Sequence, residues 1–111
     1  MDIIVISGEP YQAFLARDEQ KRSYQEKGYI YRTIDATEER DHQGMLFEYL
    51  RASNLFARQQ CVEVKVEGAD LIEYTLKQKL PKESKDVILF FAPGRKRENI
   101  SSKDATFLHY E

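Results

Sequence analysis

Four carboxylates stand where strands should end or helices should begin: Glu9, Asp35, Glu67 and Asp70. Sheets of α/β type place their sites at the carboxyl ends of strands, and acids gathered there can hold a divalent cation for phosphodiester cleavage. Each acid also has a plainer account as a loop acid, a strand-end acid or a helix cap, and capping alone accounts for Asp70. His42 and His109 are far apart, and neither sits in a spacing such as HxxxH. With one cysteine in the chain, a zinc site is not indicated. Cys61 lies in an alternating, strand-like run and reads as a small packing residue rather than a nucleophile. Arg95, Lys96 and Arg97 form a basic run that, with Tyr29 and Tyr31 as stacking surfaces, would make a small single-strand-binding module. The formal net charge of −2 provides no global basic field. Three cations alone give weak, nonspecific affinity, so direct nucleic-acid binding is not expected.

A second kind of chemistry is apolar. In the stretch SNLFARQQCVEVKVEG, residues 53–68, Leu55 and Phe56 are adjacent and flanked by polar residues in what should be a loop. Loops run over the surface, so two bulky apolar side chains there are either tucked under the domain's own core or offered to a partner. The second half of the stretch alternates Val62, Val64 and Val66 with Cys61, Glu63, Lys65 and Glu67, the period of a strand with three valines on one face.

The other elements follow from the same reasoning. Ile3 to Ile6 is an uninterrupted apolar run, as in a strand covered on both faces. Glu9-Pro10 opens a helix, because proline's missing N–H has no partner in the first turn anyway. Tyr11, Phe14 and Leu15 give its expected buried face, its polar half from Arg17 to Lys27 is expected to project into water, and Gly28 ends it. Tyr29 to Asp35 reads as a second strand, with Ile30 and Ile34 opposite Tyr29, Tyr31 and Thr33. Asp41 is a candidate N-cap for a helix from about His42 to Ala52, with Met45, Leu46, Tyr49 and Leu50 toward the sheet. Asp70 and Glu73 suggest a capping box for a helix whose stripe is Ile72, Leu76 and Leu80 and which Pro81 stops. Val87 to Ala92 is a second fully apolar strand, Arg95 to Lys103 a charged segment, and Thr106 to Tyr110 a short last strand.

Strands alternating with helices imply a single three-layer α/β domain over residues 1–111, with a mainly parallel sheet and helices on both faces. The first and fourth strands are apolar throughout and belong in the middle. A RecA-like order, 5-1-4-3-2, achieves that, whereas a flavodoxin-like order puts the third strand, with Glu63 and Lys65, at the centre. In such a sheet the phosphate loop follows the first strand. Here that position reads Ser7-Gly8-Glu9-Pro10-Tyr11, with no GxxxxGK followed by Ser or Thr, no lysine and an acid that repels phosphate. No GxGxxG is present, and the acidic pair that would hold magnesium is reduced to Glu67 before Gly68. Nucleotide hydrolysis, and enzymatic activity generally, are not expected, nor is a cofactor.

Composition agrees with a soluble, ordered domain: 111 residues, 41% apolar and 32% charged. No apolar run approaches the roughly 18–20 residues of a membrane span. The start, MDIIVISG, lacks the preceding positive segment of a signal peptide. The single Cys61 excludes an internal disulfide, and a cytoplasmic home is the expectation.

In this arrangement the chain resembles the N-terminal domain of the delta subunit of the bacterial DNA polymerase III clamp loader. The likeness spans about residues 3 to 97 and rests on element order together with the phrases IIVISGEPYQAFL, YRTIDA, LFEYLRASNLFARQQCVEVKVE and VILFFAPGRK. It implies a RecA-like fold without an ATP site, whose loop inserts a Leu-Phe pair into a hydrophobic pocket of the ring-shaped sliding clamp. By that resemblance Leu55 and Phe56 are the clamp-binding plug, flanked by Asn54, where the family usually has Ser, and by Arg58, which follows the Phe by two residues where the family commonly has three. Other clamp-loader subunits are further partners it implies. Members of the family continue into a helical lid and a collar domain, and a sequence stopping at Glu111 is either an excised domain or a small relative.

Overall fold

The computed structural model of the chain describes residues 1–37, 44–48, 59–78, 84–96 and 104–111. Within them lie β1 (Asp2–Gly8), α1 (Pro10–Glu26), β2 (Ile30–Asp35), a helical stretch α2 (residues 44–48), β3 (Gln60–Lys65), α3 (Asp70–Lys77), β4 (Val87–Pro93) and β5 (Ala105–Tyr110). The strands form one sheet in the order β2-β3-β4-β1-β5. Every pairing is parallel. Read from the other edge this is 5-1-4-3-2, the RecA-like order expected from the sequence, with β1 and β4 in the interior.

The apolar runs explain the order. In β1, Ile3 and Val5 enter one core layer and Ile4 and Ile6 the other. In β4, Ile88 and Phe90 face the first layer, and Val87, Leu89 and Phe91 the second. Strands apolar at every position suit burial on both faces, and β1 and β4 take two of the three interior places; β3 takes the third, between β2 and β4. The first layer is closed by α2 and α3 through Leu46 and Ile72, and the second by α1 through Ala13 and Ala16. Val62 and Val64 of β3, and Val66 just after it, share the first layer, as their spacing requires.

Three local expectations are corrected. Tyr11, Phe14 and Leu15 are not the buried face of α1; they are 70%, 43% and 52% exposed, and Ala13 and Ala16 are buried instead. Alanine lets a helix approach a sheet closely, which rotates the larger residues outward; Phe14 keeps an edge contact with Phe91 at 5.1 Å between ring centroids. Nor does the polar half of α1 leave the sheet. Tyr24 packs edge-on against Tyr29 at 5.0 Å. The helix ends as a Schellman motif, with Gly28 N–H to Gln25 C=O, Tyr29 N–H to Tyr24 C=O, and Gly28 at φ +88°. Finally, the N-cap of α3 is Ala69, with no side-chain cap bond; Asp70 is the first helical residue and acts only as an acid near the positive end of the helix.

Candidate functional site

At the carboxyl edge of the sheet, where α/β proteins hold their ligands, the described ends of β1, β4 and β5 are tied to one another. The Glu9 carboxylate accepts from the N–H groups of Tyr11 at 3.0 Å and Gln12 at 2.8 Å. It therefore occupies the helix N-terminus on which a RecA-like nucleotide site would set a phosphate. Beside it, Gly8 is at φ +102°, and a Cβ there would lie 1.9 Å from the Tyr110 carbonyl oxygen. The Glu9 N–H donates to Tyr110 C=O and the Gly94 N–H to Gly8 C=O, both at 2.7 Å. The carboxyl ends of β1 and β5 and the turn after β4 are thus joined backbone to backbone.

The same edge brings together two residues that sequence spacing does not connect. Ser7 Oγ lies 2.8 Å from His109 Nδ1, because β1 and β5 pair in a register that sets these residues side by side. A serine hydroxyl on an imidazole is the first half of a nucleophilic dyad. Here Ser7 is only 5% exposed, and the nearby Glu9 and Gly94 N–H groups, the donors an oxyanion would need, already donate to carbonyls. The pair ties β5 to β1.

The strand-end acids are employed separately. Glu9 caps α1. Asp35 accepts from the Thr37 N–H at 3.0 Å and from the Thr37 hydroxyl. Glu67 follows β3, and Asp70 begins α3. Among the described residues no three His, Cys, Asp or Glu side chains converge as a metal would require. The aromatic and basic residues of the nucleic-acid reading are also apart. Tyr29 OH donates to Lys85 C=O at 3.0 Å, beside the amino end of β4. Tyr31 OH donates inward to Glu63, and Arg95 and Lys96 follow the opposite, carboxyl end of β4. Arg97 and His42 lie outside the described residues.

A charged network was not foreseen. Glu63 is 5% exposed although β3 is next to the edge strand. Its carboxylate accepts from Tyr31 OH, and Arg17 Nη1 reaches both of its oxygens at 3.4 Å while Arg17 Nε holds Asp18 at 2.7 Å. The guanidinium sits 5.0 Å from the Phe91 ring centroid and 5.4 Å from that of Phe14. Burial pulls the Arg17 pKa down, but Glu63 and Asp18 outweigh it and hold it above its ordinary value. Burial, then the hydrogen bond to Glu63, drives the Tyr31 hydroxyl far up. Burial, then the Glu63 charge, pushes the Cys61 thiol up to about 12, so it is protonated rather than a thiolate nucleophile at neutral pH.

Asn54, Leu55, Phe56 and Arg58 lie outside the described residues. The chain is described again from Gln59, at the amino edge of the sheet. Gln59 C=O accepts from Ile30 N–H at 2.9 Å, and the Gln60 side-chain oxygen accepts from Arg32 Nε at 3.1 Å. Among the described residues no helix is long and apolar enough to cross a membrane. No family model, curated protein or solved structure matches this chain.

Proposed function

We propose that this domain is a RecA-like module without nucleotide chemistry, of the clamp-loader delta type, which serves DNA replication in the cytoplasm by binding the ring-shaped sliding clamp. Leu55 and Phe56 are its apolar anchors, Asn54 and Arg58 their polar flanks, and other clamp-loader subunits are its further partners. The observation that carries the reading is the Glu9 carboxylate capping α1 in a sheet of RecA-like order. The architecture of a nucleotide-binding domain is kept while its phosphate position is taken by the chain's own acid. A fold relieved of that chemistry is suited to act through its surface, and the Leu-Phe pair in a polar setting is the surface feature the sequence offers.

The test is the double variant Leu55→Ala/Phe56→Ala, measured for thermal stability and for capture by the cognate clamp. Surface substitutions shift stability by about 0.5 kcal/mol or less, whereas Leu→Ala and Phe→Ala in a core lose about 2–5 kcal/mol each. The expected result is a nearly unchanged melt with loss of clamp binding. A strongly destabilised variant, or a stable one that still binds the clamp, overturns the proposal.

A further inference from the structure

The helix α1 crosses the second core layer on a diagonal. It starts beside the carboxyl end of β5, where Glu9 N–H donates to Tyr110 C=O at 2.7 Å, and it finishes at the approach to β2, where Tyr24 packs on Tyr29. Between its far half and the amino ends of β1 and β5 lies a cleft of about 410 Å³. Small-molecule sites fall in the range of roughly 300–1,000 Å³. Ile4 and Leu108 give the cleft an apolar floor that continues the core. Gln20 and Tyr24, one turn apart on α1, add an amide and a phenol, and Asp2 and Asp104, both exposed, add two carboxylates.

The strand register explains why the acids meet. β1 and β5 pair in parallel from Ile3 with Ala105. Asp2 and Asp104 stand one step earlier on the two neighbouring chains, and the period of two sets both on the face of Ile4 and Leu108. Like charges side by side on adjacent strands are destabilising, and a cation between them removes that cost. Burial chiefly, with the Asp2 charge among the lesser causes, holds the Tyr24 hydroxyl above its ordinary pKa, so it is a neutral hydroxyl here. An ammonium of the chain itself, Lys27 Nζ, already lies 5.0 Å from the Tyr24 ring centroid.

A bare metal ion fits this cleft poorly. Among the described residues no three His, Cys, Asp or Glu side chains converge. The space is also many times the roughly 30 Å³ that one water takes up in the liquid, and its floor calls for methylene groups. We propose that the cleft binds a small aliphatic polyamine, with one ammonium between Asp2 and Asp104 and the methylene chain along Ile4 and Leu108. The side-chain oxygens of Gln20 and Tyr24 accept from the same ammonium. This site is independent of clamp binding.

The test is titration of the full chain with spermidine, followed through the backbone amide signals of Gln20, Thr106 and Leu108 by NMR. Saturable shifts confined to the lining of the cleft are expected. Asp2→Asn and Asp104→Asn should each weaken binding by about tenfold, with melting temperatures at or above the wild-type value because the repulsion is gone. Thr106→Arg, at an exposed lining position, puts a cation of the chain into the cleft and should abolish binding. Glu26→Gln removes an acid of α1 that does not line the cleft, and should leave the affinity unchanged. No saturable shift in the wild type, retained binding in Thr106→Arg, or equal loss in Glu26→Gln overturns the proposal. Full displacement of spermidine by an equal concentration of Mg²⁺ also overturns it, because the acids would then be answering to charge alone.

Discussion

Single side chains settle what the buried charge in this domain can do. Glu63 is held under α1 by Arg17 and Tyr31, which both reach its carboxyl oxygens, and hydrogen bonds to charged groups contribute about 1.5–3 kcal/mol. The same cluster sets the alkaline limit of stability. An unfolded Cys61 ionises near 9.0, but the folded thiol only near 12, with burial the main cause. Tyr31 is likewise held protonated well above its ordinary 10.0, first by burial and then by its bond to Glu63. Both folded pKa values are raised, so above pH 9 the unfolded chain binds fewer protons than the folded one and stability falls as pH rises. The contribution of Cys61 is complete below pH 9.0 and is lost between there and about 12. Urea melts at intervals from pH 7 to 11 should show a decline that starts near pH 9 in the wild type and later in Cys61→Ala. A curve flat or rising over that range contradicts the proton bookkeeping.

Elements were legible to different depths. Strand identity and sheet order could be read from β1 and β4, since an uninterrupted apolar run has one place in a two-faced sheet. The valine face of β3 was equally plain. The buried face of α1 was misread because Tyr11, Phe14 and Leu15 carry more apolar surface than Ala13 and Ala16, and surface area alone does not report how closely a helix lies on its sheet. Contacts of high sequence separation stayed hidden altogether. Arg17 is 46 residues from Glu63, Ser7 is 102 from His109, and Gln60 is 26 from Asp86, so each pairing appears only once the strand register exists. The packing of α1 yields its own test. Ala13→Leu or Ala16→Leu forces new volume between helix and sheet and should cost about 1–3 kcal/mol. Leu15→Ala, on the outer face, should change stability by about 0.5 kcal/mol or less. Chemical denaturation of the three variants would show the reverse order if the helix were turned the other way.

At the scale of the whole molecule, the same closure that supports a binding role argues against nucleotide use. A triphosphate approaching the carboxyl edge meets the Glu9 carboxylate already bonded to the α1 N–H groups. Two like unit charges about 4 Å apart near a protein surface repel by about 4 kcal/mol at an effective dielectric constant of 20. Gly8 gives no room to rearrange, because Tyr110 lies against it and the Gly94 N–H is bonded to its carbonyl. Among the described residues no three acids converge as a magnesium site would need, with Asp35 bonded to Thr37 and Glu67 following β3. Titration with Mg-ATP at millimolar concentration should therefore give no saturable heat, and incubation with DNA or RNA in Mg²⁺ or Mn²⁺ should give no cleavage. The informative controls are Asp35→Ala and Glu67→Ala. If the wild-type protein cleaves and both variants do not, the strand-end carboxylates form a metal site in solution, and the domain is an enzyme rather than a binding module. Saturable micromolar ATP binding would equally overturn the reading, since it requires Glu9 to leave the end of α1.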